Sequence, residues 1–506
     1  MEQRASKILG GKWEGQATQL PLAGLEIAPR RERPCTKGSS SAQIPMEMEA
    51  VAEGLYRRYA DKLIINPDLT RALVSFQGNK DKPLYRWFKY REAFSHEFVR
   101  YALDHFASPA RRTRSILDPF AGAGTTLTTA ARGGWHATGI EMLPVGTAAM
   151  RARLIADVAV LEEFEDALAR LQSLGLSKSD STWKFPHLRI TRRAFPPKNE
   201  HALEAFIQFL QEIENEDIRY LFWFAAFSIL EDISYTRKDG QYLRWDNRSG
   251  RKLRSNFNKG VIRDFEAALL RKLDVMCHDL RWRDGGTFSQ RVELIEGSCL
   301  EKLPTLGNDS FDLVITSPPY CNRYDYTRTY ALELAFLGFG EDRLRCLRQS
   351  LLSATVENKS KRASIAAEYA IAGNSLEYHD AAKSFEQQQF LGEALRQLRA
   401  ARAKGELNNS NIPDMVDNYF FEMNLVIRQL ARVTAHGGRI LMVNDNVQYQ
   451  GIEIPVDFIL SDFAKRAGLD VETIWVLPKG KGNSSQQMGI HGRHELRKCV
   501  YVWVKH

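Results

Sequence analysis

Residues 114–142, RSILDPFAGAGTTLTTAARGGWHATGIEM, constrain this chain more than any other stretch. An apolar run closes on Asp118, a glycine-rich turn follows, a helical pattern continues to about Ala131, and a second apolar run closes on Glu141. Strand, helix and strand in succession make a βαβ unit. Further strand patterns stand at 292–296, 311–316, 438–444, 471–477 and 498–504, with helical patterns at 414–434 and 456–467 between them. Such alternation predicts an α/β fold: an open, mostly parallel sheet with helices on both faces, its last two strands forming a hairpin. Ligands of such sheets sit at the carboxyl ends of the strands. Two motifs fall at such ends, Asp118–Thr125 and Ser317–Tyr320, which predicts one shared cleft.

The remaining stretches divide the 506 residues. Residues 1–48, rich in Gly, Ser, Pro and charge, are expected to form a flexible arm. A short helix is predicted over 47–62 and a longer one over 87–106, within a first unit spanning 49–145. Residues 146–290 are mostly helical in pattern, 291–345 carry a strand and the Ser-Pro-Pro-Tyr loop, 346–410 form a second helical insertion, and 411–506 complete the sheet. No run of about 18 apolar residues exists, so no membrane span is expected, and the amino terminus lacks an apolar signal core, as in a cytoplasmic protein. The six cysteines form no CxxC pair and sit near no His cluster, so no metal is expected.

In DPFAGAGTT the glycines Gly122 and Gly124 directly follow a buried strand and let the backbone pass close to a ligand. Thr125 opens a helix whose first N–H groups are unpaired. Glu141 ends the next strand, where a carboxylate can accept both hydroxyls of a ribose. The third glycine of a pyrophosphate-binding loop is missing, and Asp118 would repel phosphate but attract an ammonium group. A ribose at one end and an amino acid at the other describe S-adenosyl-L-methionine.

In DLVITSPPYC an apolar strand runs into two prolines, which end it and hold a stiff, extended turn. Ser317 adds a hydroxyl acceptor, Pro318 and Pro319 fix the backbone, and Tyr320 offers a flat face. This suits a planar ring with an exocyclic NH₂: the amine hydrogens find acceptors and the ring stacks on tyrosine. Most of the acceleration would come from holding that nitrogen in line with an electrophilic methyl group. Cys321 follows the tyrosine rather than a proline and is expected to pack the loop, not to attack.

Together DPFAGAGTT and TSPPY resemble motifs of the DNA amino-methyltransferases, which modify cytosine N4 or adenine N6. FSHEFV at 94–99, with Phe94 and Ser95, is similar to that family's further cofactor motif. Glu141 matches its acidic residue, and IEGSCLEKL at 295–303 matches a third cofactor motif with Ser298 in place of the usual aspartate. The resemblance implies a Rossmann-like class I methyltransferase sheet with helical insertions, cofactor contacts from Phe94, Ser95, Asp118, Pro119, Phe120, Gly122, Gly124, Thr125, Glu141 and Ser298, and catalysis at Ser317, Pro318, Pro319 and Tyr320. Serine opening the tetrapeptide points to cytosine N4; the cofactor motif preceding the catalytic motif is shared with many adenine-N6 enzymes. A place in restriction–modification, beside a cognate endonuclease in the nucleoid, is implied as well.

Double-stranded DNA hides its amines in the stack, so the target must be flipped out at a cost of a few kcal/mol, offset by phosphate and groove contacts. Residues 236–263 hold nine Lys or Arg against two Asp, an excess close to the whole chain's +8. Arg237, Lys238, Arg244, Arg248, Arg251, Lys252 and Arg254, interleaved with aromatic and Asn residues, are the expected DNA contacts. Rival readings are an RNA guanine-N2 methyltransferase, for which residues 1–90 are short of an RNA-binding domain, and a non-catalytic DNA-binding subunit, which the intact motifs argue against.

Overall fold

Strand alternation decides where each layer sits. The computed structural model describes residues 18–19, 46–91, 93–106, 114–174, 181–239, 242–253, 256–283, 286–478 and 496–506. The expected arm at 1–48 therefore lies mostly outside the described residues, and Arg254 does too. In chain order the strands are β1 (Thr18–Gln19), β2 (Leu63–Ile65), β3 (Ser115–Asp118), β4 (His136–Glu141), β5 (Thr236–Asp239), β6 (Tyr242–Trp245), β7 (Val292–Glu296), β8 (Phe311–Thr316), β9 (Thr434–Asp445), β10 (Val447–Tyr449), β11 (Ile452–Ile454), β12 (Leu469–Val476) and β13 (Lys498–Lys505).

Among the described residues nine strands form one sheet, in the order β1-β2-β12-β13-β9-β8-β3-β4-β7. From β9 through β8, β3 and β4 to β7 every pairing is parallel, while β13 runs antiparallel to both β9 and β12. This is the Rossmann-like methyltransferase arrangement, mostly parallel with an antiparallel C-terminal hairpin.

Successive residues of a strand point to opposite faces. Val314, Ile440, Met442, Tyr501 and Trp503 face a layer built from the helices Met46–Tyr59, Gln389–Ala403, Ile412–Val433 and Val456–Arg466. Their neighbours Leu313, Ile315, Leu441, Val443, Val500 and Val502 face the helices His96–Phe106 and Thr125–Arg132. Full burial of each such side chain contributes roughly 1.5–3 kcal/mol. A separate core, with Phe164, Phe206, Phe222, Phe224 and Phe227, holds the helices between Pro144 and Arg281 together.

Two elements differ from the sequence expectation. The helix expected over 87–106 occupies only His96–Phe106; Trp87, Phe88 and Tyr90 owe their spacing to packing against the helical core. The basic stretch inside the largely helical insertion opens with an antiparallel strand pair, β5–β6. Within the second helical insertion, Leu391, Leu395 and Leu398 join the core on one sheet face.

Candidate active site

Strand β3 delivers Asp118 to the sheet edge, and the chain then turns through Gly122 (φ +54°) and Gly124 (φ +73°). Gly124 takes the left-handed conformation immediately before the helix Thr125–Arg132, where a side chain is strained. A Cβ on Gly124 would also run into the Met150 side chain, and one on Gly122 would sit 3.0 Å from the Tyr90 ring.

The Asp118 carboxylate is 2% exposed. It accepts from the Phe120 amide (3.1 Å) and from the hydroxyls of Thr126 (2.6 Å) and Thr316 (2.8 Å). Burial pushes its pKa up to about 6, against the pull of those three donors. Glu141 is held likewise: one oxygen accepts from the Gly122 amide and the other from the Leu143 amide, each at 2.6 Å. Burial raises it to about 7. Both carboxylates are thus pinned by the loop they shape. Beside them Ser298 caps a short helix through the Leu300 amide (3.3 Å).

Strand β8 next to β3 carries the second motif to the same edge. The Ser317 hydroxyl donates to the Val443 carbonyl (3.2 Å) and lies 3.3 Å from the Tyr320 hydroxyl. The next turn is clamped: the Tyr449 hydroxyl donates to the Cys321 carbonyl at 2.6 Å. Cys321 is fully buried and its thiol pKa is raised by burial, as expected of a packing residue.

A single cleft joins the two motifs. Phe94, Asp118, Pro119, Phe120, Gly122, Thr125, Glu141 and Ser298 line it together with Ser317 and Pro319. Four sequence candidates are not in that lining: Ser95, Gly124, Pro318 and Tyr320. Ser95 is buried and spent on capping: its hydroxyl donates to the Leu73 carbonyl (2.7 Å) and accepts from the Phe98 amide (3.2 Å). Tyr320 is partly buried beside the cleft, within reach of Lys498. Sequence reasoning missed Tyr90, Tyr326, Leu351 and Leu352 in the wall; they come from loops and short helices with no motif to mark them. Among the described residues no group of three or more His, Cys, Asp or Glu converges as a metal site, and no helix is long and apolar enough to cross a membrane.

The basic stretch is divided in two by its packing. Lys238 is 4% exposed, ion-paired to buried Glu333 and 4.7 Å above the Tyr330 ring; this corrects its assignment to DNA, because no phosphate can reach it. Arg248 is also committed internally, bidentate to Asp246 (2.7 and 2.8 Å) and donating to the Gly260 carbonyl (2.7 Å). Arg251 donates to the carbonyls of Ile190 (3.2 Å) and Arg192 (3.1 Å) and lies 4.0 Å from the Trp245 ring centroid. Arg244 is exposed over the Phe257 ring, near Asp239. Arg237 and Lys252 are exposed, with no ion pair among the described residues.

Sheet, glycine loop and proline-stiffened loop at a single edge define the class: an α/β protein of the methyltransferase type. No family model matches the chain. It is 44% identical over 480 residues to the Type II methyltransferase M.AvaI of Nostoc sp. (strain PCC 7120 / SAG 25.82 / UTEX 2576), covering 93% of this chain and 97% of that one, and matches M.AvaI of Anabaena variabilis equally. To the Type II methyltransferase M.BsoBI of Geobacillus stearothermophilus it is 39% identical over 452 residues, 86% of this chain and 88% of that one. The chain belongs to the Type II methyltransferases, a family of DNA methyltransferases.

Proposed function

We propose that the protein methylates an exocyclic amine, cytosine N4 in preference to adenine N6, of a base flipped out of double-stranded DNA at a specific site. S-Adenosyl-L-methionine, bound in the cleft, supplies an electrophilic methyl on a sulfonium. Glu141 accepts from the ribose hydroxyls, Asp118 sets a negative charge for the ammonium end, and Phe94, Phe120 and Ser298 line the remainder. The Ser317 hydroxyl and the Pro318 carbonyl accept the two amine hydrogens, Pro319 stiffens the turn and the Tyr320 ring stacks on the base. Rate comes from alignment of nitrogen and methyl, without a covalent enzyme intermediate.

One observation carries this reading: a single cleft is lined by Asp118, Gly122 and Glu141 on one side and by Ser317 and Pro319 on the other. The preference for cytosine rests on Ser317, whose hydroxyl donates inward to Val443 and keeps lone pairs for an amine. We assign residues 49–145 and 291–345 to cofactor and catalysis, 146–290 to DNA contact through Arg237, Arg244 and Lys252, 346–410 to a clamp and 411–506 to the sheet. A cognate endonuclease acting on the same site of nucleoid DNA completes the system.

Methylome sequencing of DNA from cells expressing the protein tests this. The expected result is 4-methylcytosine at one recurring sequence. 6-Methyladenine there would move the assignment to adenine, and unmodified DNA beside methylated RNA would overturn the DNA substrate.

A further inference from the structure

Strand β13 runs antiparallel to β9, and β9 runs parallel to β8. The first residue of β13 therefore lies at the edge where β8 ends, although 178 positions separate Lys498 from Tyr320. Lys498 pairs in register with Asp445, the last residue of β9, and its ammonium lies 3.3 Å from that carboxylate. The same ammonium donates to the Tyr320 hydroxyl at 3.4 Å and stands 5.3 Å from the ring centroid. On its other side the Tyr320 hydroxyl meets Ser317 at 3.3 Å. One aromatic ring is thus tied both to the strand that carries its motif and to the antiparallel strand across β9.

We infer that Lys498 is a positioning residue for methyl transfer: anchored by Asp445, it holds the Tyr320 ring in the orientation that stacks on the extruded base. The inference rests on the proposed function. Burial works against the Lys498 charge, but Asp445 and Tyr320 more than offset it, and its pKa is raised. The ammonium therefore stays charged and can only donate. A cation beside an aromatic ring is attracted by its quadrupole, more strongly when desolvated, and so favours one orientation of the tyrosine.

The test compares the full-length wild type with Lys498→Met, which keeps the stem but removes donor and charge, and with Lys498→Arg, which keeps both. With duplex DNA carrying the methylated site, Lys498→Met should lower kcat by about tenfold or more, leave the titrated affinity for S-adenosylmethionine unchanged, and be rescued in large part by Lys498→Arg. In a Tyr320→Phe background the same substitution should cost less than in the wild type, because the two side chains act as a unit. Should Lys498→Met fail to fold, Lys498→Gln is read against Lys498→Arg by the same criteria. A kcat for the Met or Gln variant within about twofold of wild type, or an Arg variant no better than it, overturns the role of Lys498. A wild type that methylates no DNA overturns the parent reading instead.

Discussion

The Thr316 hydroxyl donates to Asp118 at 2.8 Å, so the last residue of β8 is tied to the last residue of β3. The Thr126 hydroxyl, in the first turn of the following helix, donates to the other carboxylate oxygen at 2.6 Å. One buried side chain thereby sets the glycine loop and the Ser-Pro-Pro-Tyr loop against each other. All three groups are in adjacent elements of the sheet edge, which is where a transfer between two bound molecules needs its rigidity.

Replacing Thr316 by Val keeps the volume and removes that bond. A hydrogen bond to a charged group contributes about 1.5–3 kcal/mol, and Asp118 would keep only Phe120 and Thr126 as partners. Chemical denaturation should show a loss of that order, and methyl transfer should fall further than cofactor affinity because the loop spacing, not the pocket, is disturbed.

The two pinned carboxylates give the protein without ligand a distinctive pH dependence. Glu141 rises from 4.5 to about 7 and Asp118 from 3.8 to about 6 on folding. The folded chain holds protons that the unfolded chain releases, so the stability they contribute is complete below the unfolded values and is lost as pH rises through the folded ones. The melting temperature should therefore fall between about pH 4 and 7, and less steeply in Glu141→Gln. Affinity for a cationic ligand should change the opposite way, rising over the same range as the carboxylates ionise.

Much of the sheet was legible because its strands are short apolar runs with nothing else they could be: 292–296 and 311–316 fall on β7 and β8 as expected. The glycine loop was legible for the same reason, as a break that only a ligand or a tight turn requires. Strand β2 was not, since it enters the sheet by pairing with β12, Leu63 against Ile474, a partner no local pattern reveals. Lys498 was hidden by topology: only the antiparallel direction of β13 brings the start of that strand beside Tyr320. The basic stretch shows the converse. Its charge count was plain, but the count could not separate Lys238, which reaches inward to Glu333, from its exposed neighbour Arg237.

Ser95 distinguishes a capping role from a cofactor contact. Its hydroxyl accepts from the Phe98 amide at the start of the helix His96–Phe106. Ser95→Ala should cost about 1 kcal/mol of stability, read as a lowered denaturation midpoint. Calorimetric titration should find the affinity for S-adenosylmethionine unchanged; a large loss of affinity would assign the hydroxyl to the cofactor after all.

Gly146, which no motif marked, is where the helix Pro144–Val158 meets the glycine loop. A Cβ there would collide with the Gly122 carbonyl and approach Glu141 Cγ to 3.0 Å. Neither can retreat, because the Gly122 amide is bonded to that same carboxylate at 2.6 Å. Gly146→Ala should weaken cofactor binding by about tenfold or more, an overpacking penalty of 1–3 kcal/mol, in the same titration.

DNA affinity offers the sharpest separation within one basic stretch. Arg237 and Lys252 are exposed and have no ion pair among the described residues, so replacing either by Ala should leave stability within about 0.5 kcal/mol of wild type. Each loss of a phosphate contact should weaken duplex binding and reduce the slope of log K against log salt by about one. Lys238 should behave in the reverse manner. Its ammonium is paired with the buried carboxylate of Glu333, and removing one member of a buried pair costs about 3–5 kcal/mol. Lys238→Met should therefore unfold at a markedly lower denaturant concentration, while Lys238→Met combined with Glu333→Leu regains most of that loss because no charge is left stranded. If the folded double variant binds DNA with the wild-type salt slope, the charge that matters to DNA lies on the exposed side chains of this stretch; a slope reduced by about one would return Lys238 to the DNA-contacting set.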